Sequence, residues 1–200
     1  MDSVIRRLHR KELPIDTVEL ARYLIGKTLI HDLPVERLMG RIVETEAYPV
    51  GDPSGHAFRG PTKGNRSLYL ARGHAYVHLA YGTSYLLNIS SELDGIGAGV
   101  LLRALEPLDG ITLMVRHRRT RRVLDLARGP GRLASAMGID KRYDGADLCA
   151  GGPLRLGREV RESGPIGRSE RIGITRAADR MLRFYERGNP FVSGRQRLRS

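Results

Sequence analysis

The chain has 200 residues, and its 34 lysines and arginines outnumber its 22 acidic residues to give a formal charge of +12. That length suits one domain burying roughly 70% of its unfolded surface, and the single cysteine, Cys149, excludes an internal disulfide and reads as a small packed side chain. The surplus of base points to a polyanionic partner and away from a small neutral substrate. No apolar run approaches membrane-spanning length, and Met1 to Arg7 carries charge with no hydrophobic region after it, so the default compartment is a reducing cytoplasm. Only Lys11, Lys27, Lys63 and Lys141 are lysines. Arginine, which dominates, offers a rigid fork for phosphate oxygens.

In chain order, Asp16-Thr17-Val18-Glu19 has the form of a capping box, and Val18, Ala21, Leu24 and Ile25 recur at helical spacing before Gly26. Strands are predicted over residues 28–31 and 38–46. R-I-V-E-T-E-A-Y, residues 41–48, runs across the end of the second. Alternation places Glu44 and Glu46 on one face, with Tyr48 just past the strand end. A polar edge strand halted by Pro49 is the plain alternative. Pro49 to Gly55 is a loop that delivers His56. Residues 74–81 and 85–90 read as a β-hairpin turning at Gly82-Thr83-Ser84, with Tyr81 near its tip and Tyr76 and His78 on the opposite face. A further strand over 100–105 turns Arg103 the way Leu101 and Leu105 face. Asp109 is placed to cap a helix over 111–117, and Pro130 sits in the first turn of a helix running to Gly138. The last third shows glycine-rich turns at 151–152 and 164–167 and a short helix over 176–180. With no repeat or linker, the expected fold is α+β: a single domain over 1–200, with its core roughly 13–193, in which helices flank a curved antiparallel sheet and a hairpin protrudes.

Several words of this sequence carry a resemblance when taken together. E-T-E-A-Y, the His56 loop, Y-V-x-L-x-Y-G from Tyr76, N-I-S-S from Asn88 and L-L-R-A-L-E-P-L from Leu101 come first. G-P-G-R-L from Gly129, R-I-G-I from Arg171, L-R-F-Y from Leu182 and P-F-V-S from Pro190 follow in the same order. The chain thereby resembles the 3-methyladenine DNA glycosylases of the alkyladenine type over nearly its whole length. The resemblance implies a monofunctional N-glycosylase of base excision repair. Such an enzyme works as a monomer without cofactor or metal, flipping alkylated purines such as 3-methyladenine and 7-methylguanine from double-stranded DNA and leaving an abasic site. Hypoxanthine and etheno-adenine stay open, because an uncharged purine needs a proton before it leaves.

Cleaving the glycosidic bond puts cationic character on the deoxyribose, which a carboxylate can stabilise while deprotonating water. The resemblance gives that role to Glu46 and leaves Glu44 as a neighbour holding an arginine or a backbone amide. The base must be extruded at a cost of a few kcal/mol, and Tyr81 matches the residue that fills the gap. Tyr48 and His56 match positions that contact the flipped base, where an aromatic face favours a cation by about 0.5–2 kcal/mol. His78 stands where this family usually has tyrosine, making the second wall an imidazole. Asn88 matches a position obstructing the amino group of normal guanine, Arg103 the pocket edge, and Arg132 and Lys141 positions on the DNA backbone. Lys63, in a Pro/Gly loop, is the only lysine between Glu46 and Arg103, which argues against a Schiff-base lyase. The histidine spacings carry no zinc signature. Two other classes fit parts of the pattern: a silent nucleic-acid-binding module, which needs no Glu46, and a hydrolase of free nucleosides, which gains little from the basic surplus or a protruding tyrosine.

Overall fold

Asp16 starts the first helix by accepting hydrogen bonds from the backbone amides of Val18 and Glu19, each at 2.8 Å. These are donors the first turn leaves without helical partners. Helix α1 (Thr17–Tyr23) ends before Gly26, whose φ of +87° reverses the chain into the sheet. In this computed structural model residues 5–194 are described; residues 1–4 and 195–200, and with them most of the amino-terminal segment read above, lie outside the described residues.

Eight antiparallel strands follow: β1 (Thr28–Asp32), β2 (Arg37–Tyr48), β3 (Ala75–Ala80), β4 (Ser84–Ser90), β5 (Gly99–Asp109), β6 (Leu154–Gly157), β7 (Ile166–Ser169) and β8 (Arg183–Glu186). The main path of the curled sheet runs β3-β4-β5-β2-β1-β6. Strand β2 is its spine. One edge pairs with β5 along nearly its whole length, while the other pairs first with β1 and then, over Glu44 to Glu46, with β8. Helix α2 (Ile111–Arg118) and helix α3 (Pro130–Ala136) complete the α+β domain. Leu20 and Leu24, Met114, and Leu133 bring all three helical segments into one core with Ile42, Leu87 and Leu102 of the sheet. Among the described residues no helix is long and apolar enough to cross a membrane.

The β2–β5 ladder slips twice where the site forms. Ile42 pairs with Leu105 and Glu44 with Ala104, skipping Val43; Thr45 then pairs with Leu102, skipping Arg103. A bulge re-aims the side chain it leaves without a ladder partner. Here it turns Arg103 to the face of Glu44 and Glu46 while Leu105 enters the core. Arg103 and Leu105 therefore do not share a face, contrary to the simple alternation read from sequence.

Other boundaries move for identifiable reasons. Tyr48 is the last residue of β2, paired with Gly99, not a residue beyond it. Helix α2 is preceded by Gly110 at φ +70°, and the Asp109 carboxylate instead accepts from the Gly110 amide, fixing the turn. Residues 176–180 form no helix, because Ala177 is left-handed at φ +45° and its carbonyl accepts from Arg171. The last third supplies β6, β7 and β8, four-residue strands too short to leave a periodic signal. Cys149 is buried against the core, and burial pushes its thiol up to about 11.

Candidate active site

Glu44 and Glu46 share a face of β2, and neither is exposed. The Glu44 carboxylate accepts from Arg103 Nε at 3.0 Å, Arg183 Nε at 2.6 Å, the Ser193 amide at 2.7 Å and the Ser193 hydroxyl at 2.9 Å. Burial alone would raise its pKa, but Arg183, Arg103 and the Ser193 amide outweigh it and hold the carboxyl below its ordinary range. Glu44 thus holds both arginines and a backbone amide. Glu46 accepts from the Ile172 amide at 2.7 Å on Oε1, and from the Tyr48 hydroxyl at 3.0 Å and Arg103 Nη1 at 3.1 Å on Oε2. Arg103 bridges the two acids. Its burial disfavours the charge, but Glu46 and then Glu44 favour it more, so its pKa rises.

Above this seam lies a cavity of about 540 Å³, within the range of ~300–1,000 Å³ usual for ligand sites. Tyr48, His56, His78, Asn88 and Arg103 all line it. Glu46 itself does not. Its carboxylate sits one layer down, held by Tyr48, Arg103 and Ile172, which are all part of the wall. The Tyr48 ring carries the Arg171 guanidinium 4.7 Å from its centroid, and burial with the adjacent Glu46 raises its phenol well above the usual range.

The histidines form one side of the cavity. His56 Nδ1 lies 2.9 Å from the Tyr76 hydroxyl, its ring meets that of His78 edge-on at 4.3 Å, and His78 stacks on Tyr76 at 5.1 Å. Burial lowers the pKa of His56. His78 falls to about 4, through burial first and then the His56 and Lys141 charges, against a smaller opposing effect of Asp144. Both rings are therefore neutral at pH 7. Asn88 Nδ2 reaches the Tyr76 carbonyl and His78 Nδ1 at 3.4 Å each, which ties it to the same wall.

Tyr81 stands at the rim of the cavity, where β3 turns into β4. It is 92% exposed and left-handed at φ +51°, so the turn throws the ring outward. The two basic residues singled out in the sequence do not line the cavity. Arg132 lies on α3 beside Asp125 at 3.2 Å. Lys141 donates to the Val77 carbonyl at 2.9 Å and to Asp144 at 2.8 Å, buttressing the hairpin.

Four contributors went unassigned in the sequence. Ile172 supplies the amide on Glu46, and Tyr76 supplies the hydroxyl at His56. Arg171, fully buried, donates to the Ala47 carbonyl and pairs with Asp52 at 2.7 Å, locking the Pro/Gly loop to the Ile172 segment. A backbone amide leaves no trace in a sequence, and one arginine among thirty does not announce itself. Asp52 did leave a signal, as the only acid in residues 49–64.

Residues 11–190 match the family described as methylpurine-DNA glycosylase. Three similar proteins each bear the name "Putative 3-methyladenine DNA glycosylase". The one from Mesorhizobium japonicum is 63% identical, covering 94% of this chain and 91% of its own. The one from Paraburkholderia phytofirmans is 54% identical, covering 96% and 90%. The one from Methanoculleus marisnigri is 45% identical, covering 90% and 95%.

Proposed function

Because this chain belongs to the methylpurine-DNA glycosylase family, we propose that it hydrolyses the N-glycosyl bond of alkylated purines flipped from duplex DNA into the cavity above Glu46. The observation that carries this reading is the convergence of three wall groups, the Tyr48 hydroxyl, Arg103 and the Ile172 amide, on one buried carboxylate. An ionised carboxylate has about four acceptor positions. Three are taken, and in this reading the attacking water passes between those wall groups to the remaining position, on Oε1 of the carboxylate one layer below the cavity. Glu46 then removes a proton from that water and offsets the charge developing on the sugar. Arg103, Tyr48 and Ile172 act as positioning groups for the carboxylate.

A flipped purine is enclosed by Tyr48 and the His56/His78 wall. With both imidazoles neutral, that wall tolerates a cationic 3-methyladenine or 7-methylguanine. Asn88 crowds the amino group of an unmodified guanine, and Tyr81 occupies the gap in the helix. Among the described residues no lysine amine bonds to Glu46, and with water as the nucleophile the strand is left unbroken at an abasic site. Protruding Tyr81 and the charge of +12 favour duplex DNA over free nucleosides.

The test is chromatography of purines released from methylated and from deaminated duplex, with the strand sized before and after alkali. Free methylpurine with an intact, alkali-labile strand is expected. A strand nicked without alkali, or no purine released from methylated DNA, refutes the reading.

A further inference from the structure

A second cavity, of about 380 Å³, lies beside the hairpin; Gly131 lines it while the adjacent Pro130 lines the first, so the start of α3 sits between the two. Two guanidinium groups face this second cavity. Arg118 is half-buried and anchored through Nε to the Leu126 carbonyl at 3.0 Å, and Arg132 reaches across to Asp125. Burial, and then the like charge of Arg132, pushes the Arg118 pKa below its ordinary value, against a smaller effect of Asp125. Asp125 cannot neutralise the group, because Arg122 and Arg128 also draw on it. It is the only carboxylate in residues 110–139, which carry arginine at 116, 118, 119, 121, 122, 128 and 132.

Besides Gly131 and Ile139, the lining carries four hydroxyls, those of Thr83, Ser84, Tyr85 and Ser135. None makes a hydrogen bond within the described residues. Like-charged guanidiniums brought together beside unpaired donors are relieved by a tetrahedral oxyanion, which accepts from arginine and hydroxyl alike. Thr83 and Ser84 follow Tyr81 by two and three residues, so an anion here lies within a few ångströms of the hairpin turn.

We propose that this cavity is a phosphate subsite, in which Arg118, Arg132 and the hydroxyls of Thr83, Ser84 and Ser135 hold one backbone phosphate of DNA engaged by the hairpin. The proposal rests on the reading of the chain as a DNA glycosylase. It adds Arg118, which does not touch the base pocket, and gives Arg132 a defined partner.

The probe is a duplex bearing a stable abasic-site analogue, with single neutral methylphosphonates placed in turn around the lesion. Wild type should lose roughly tenfold in affinity at one position. Arg118→Ala should bind charged and neutral duplexes equally at that position while retaining the wild-type losses elsewhere. Its salt slope should fall by about one phosphate. Ser135→Glu, which places a carboxylate in the cavity without touching the Arg118 anchor, should weaken binding at least as much. Losses for Arg118→Ala that match wild type at every position overturn the proposal. So does an unchanged affinity of Ser135→Glu. Inorganic phosphate that stabilises wild type but not Arg118→Ala, with no methylphosphonate effect in either, overturns it in favour of a free anion. Wild type that binds without salt dependence refutes the underlying DNA reading instead.

Discussion

Glu44 and Glu46 lie on β2 with no exposure and with at least three donors each, whereas Tyr81 at the hairpin turn is 92% exposed on a left-handed backbone. One region is held by everything around it and the other by very little. Buried charges survive only when paired and hydrogen-bonded, so the seam is rigid by necessity and can fix an atom's position. The tip contributes nothing to the core, and a non-glycine residue at positive φ costs about 1–2 kcal/mol. In the proposed function the aromatic ring kept there contacts DNA outside the chain. If the proposed function holds, chemistry and substrate engagement occupy regions that mutate with opposite signatures.

The sharpest break in that contrast comes from Glu44→Ala. It strands Arg103 and Arg183 without their shared carboxylate, and denaturant unfolding should show a loss of about 3–5 kcal/mol. Unchanged stability would mean the seam is not what holds β2 to β8. At the other pole, Tyr81→Ala should leave the unfolding midpoint within about 0.5 kcal/mol of wild type. Binding to abasic-site duplex should weaken by about 1–3 kcal/mol, more than binding to undamaged duplex. Equal losses on both DNAs would remove the wedge. Between the two regions, Tyr48→Phe removes one donor from Glu46 and keeps the ring; a fall in single-turnover rate of about 0.5–1.5 kcal/mol with unchanged binding is expected. A loss of binding alone would make the hydroxyl a base contact.

The smallest effect is one of pH. His78 titrates near 4 in the folded chain, with His56 and Lys141 opposing its charge and Asp144, paired with Lys141, favouring it less strongly. Unfolded, it takes up its proton at about 6.5. The stability gained from keeping it neutral is complete above that value and is lost as pH falls from 6.5 towards 4. Release of a cationic purine should accordingly hold level down to pH 5 and decline towards 4. His78→Phe should flatten that decline. A decline already under way between pH 7 and 6 in wild type, absent from His78→Phe, would place the imidazole charge elsewhere.

How far the sequence reached depended on how local the signal was. The capped α1, the β3–β4 hairpin and Pro130 at the start of α3 all rest on adjacent residues, and all three are present. The alternation that pairs Glu44 with Glu46 survives for the same reason. Arg103 reaches that face only through two register slips, which depend on β5 meeting β2 and have no sequence mark. The short strands β6 and β8 are ordered by β1 and β2, over a hundred residues away, and β7 is ordered in turn by β8; four residues each are too few to show a period of their own. The Ile172 amide on Glu46 belongs to the same class, as a contact made by topology with a group every residue possesses.

In the proposed reaction Glu46, aimed by Tyr48, Arg103 and Ile172, activates the water. Single-turnover release of methylpurine by Glu46→Gln, with abasic-site binding measured on the same preparation, tests it most directly. A rate loss of about 10²–10⁴-fold with binding retained is expected. Turnover within a few-fold of wild type would contradict it.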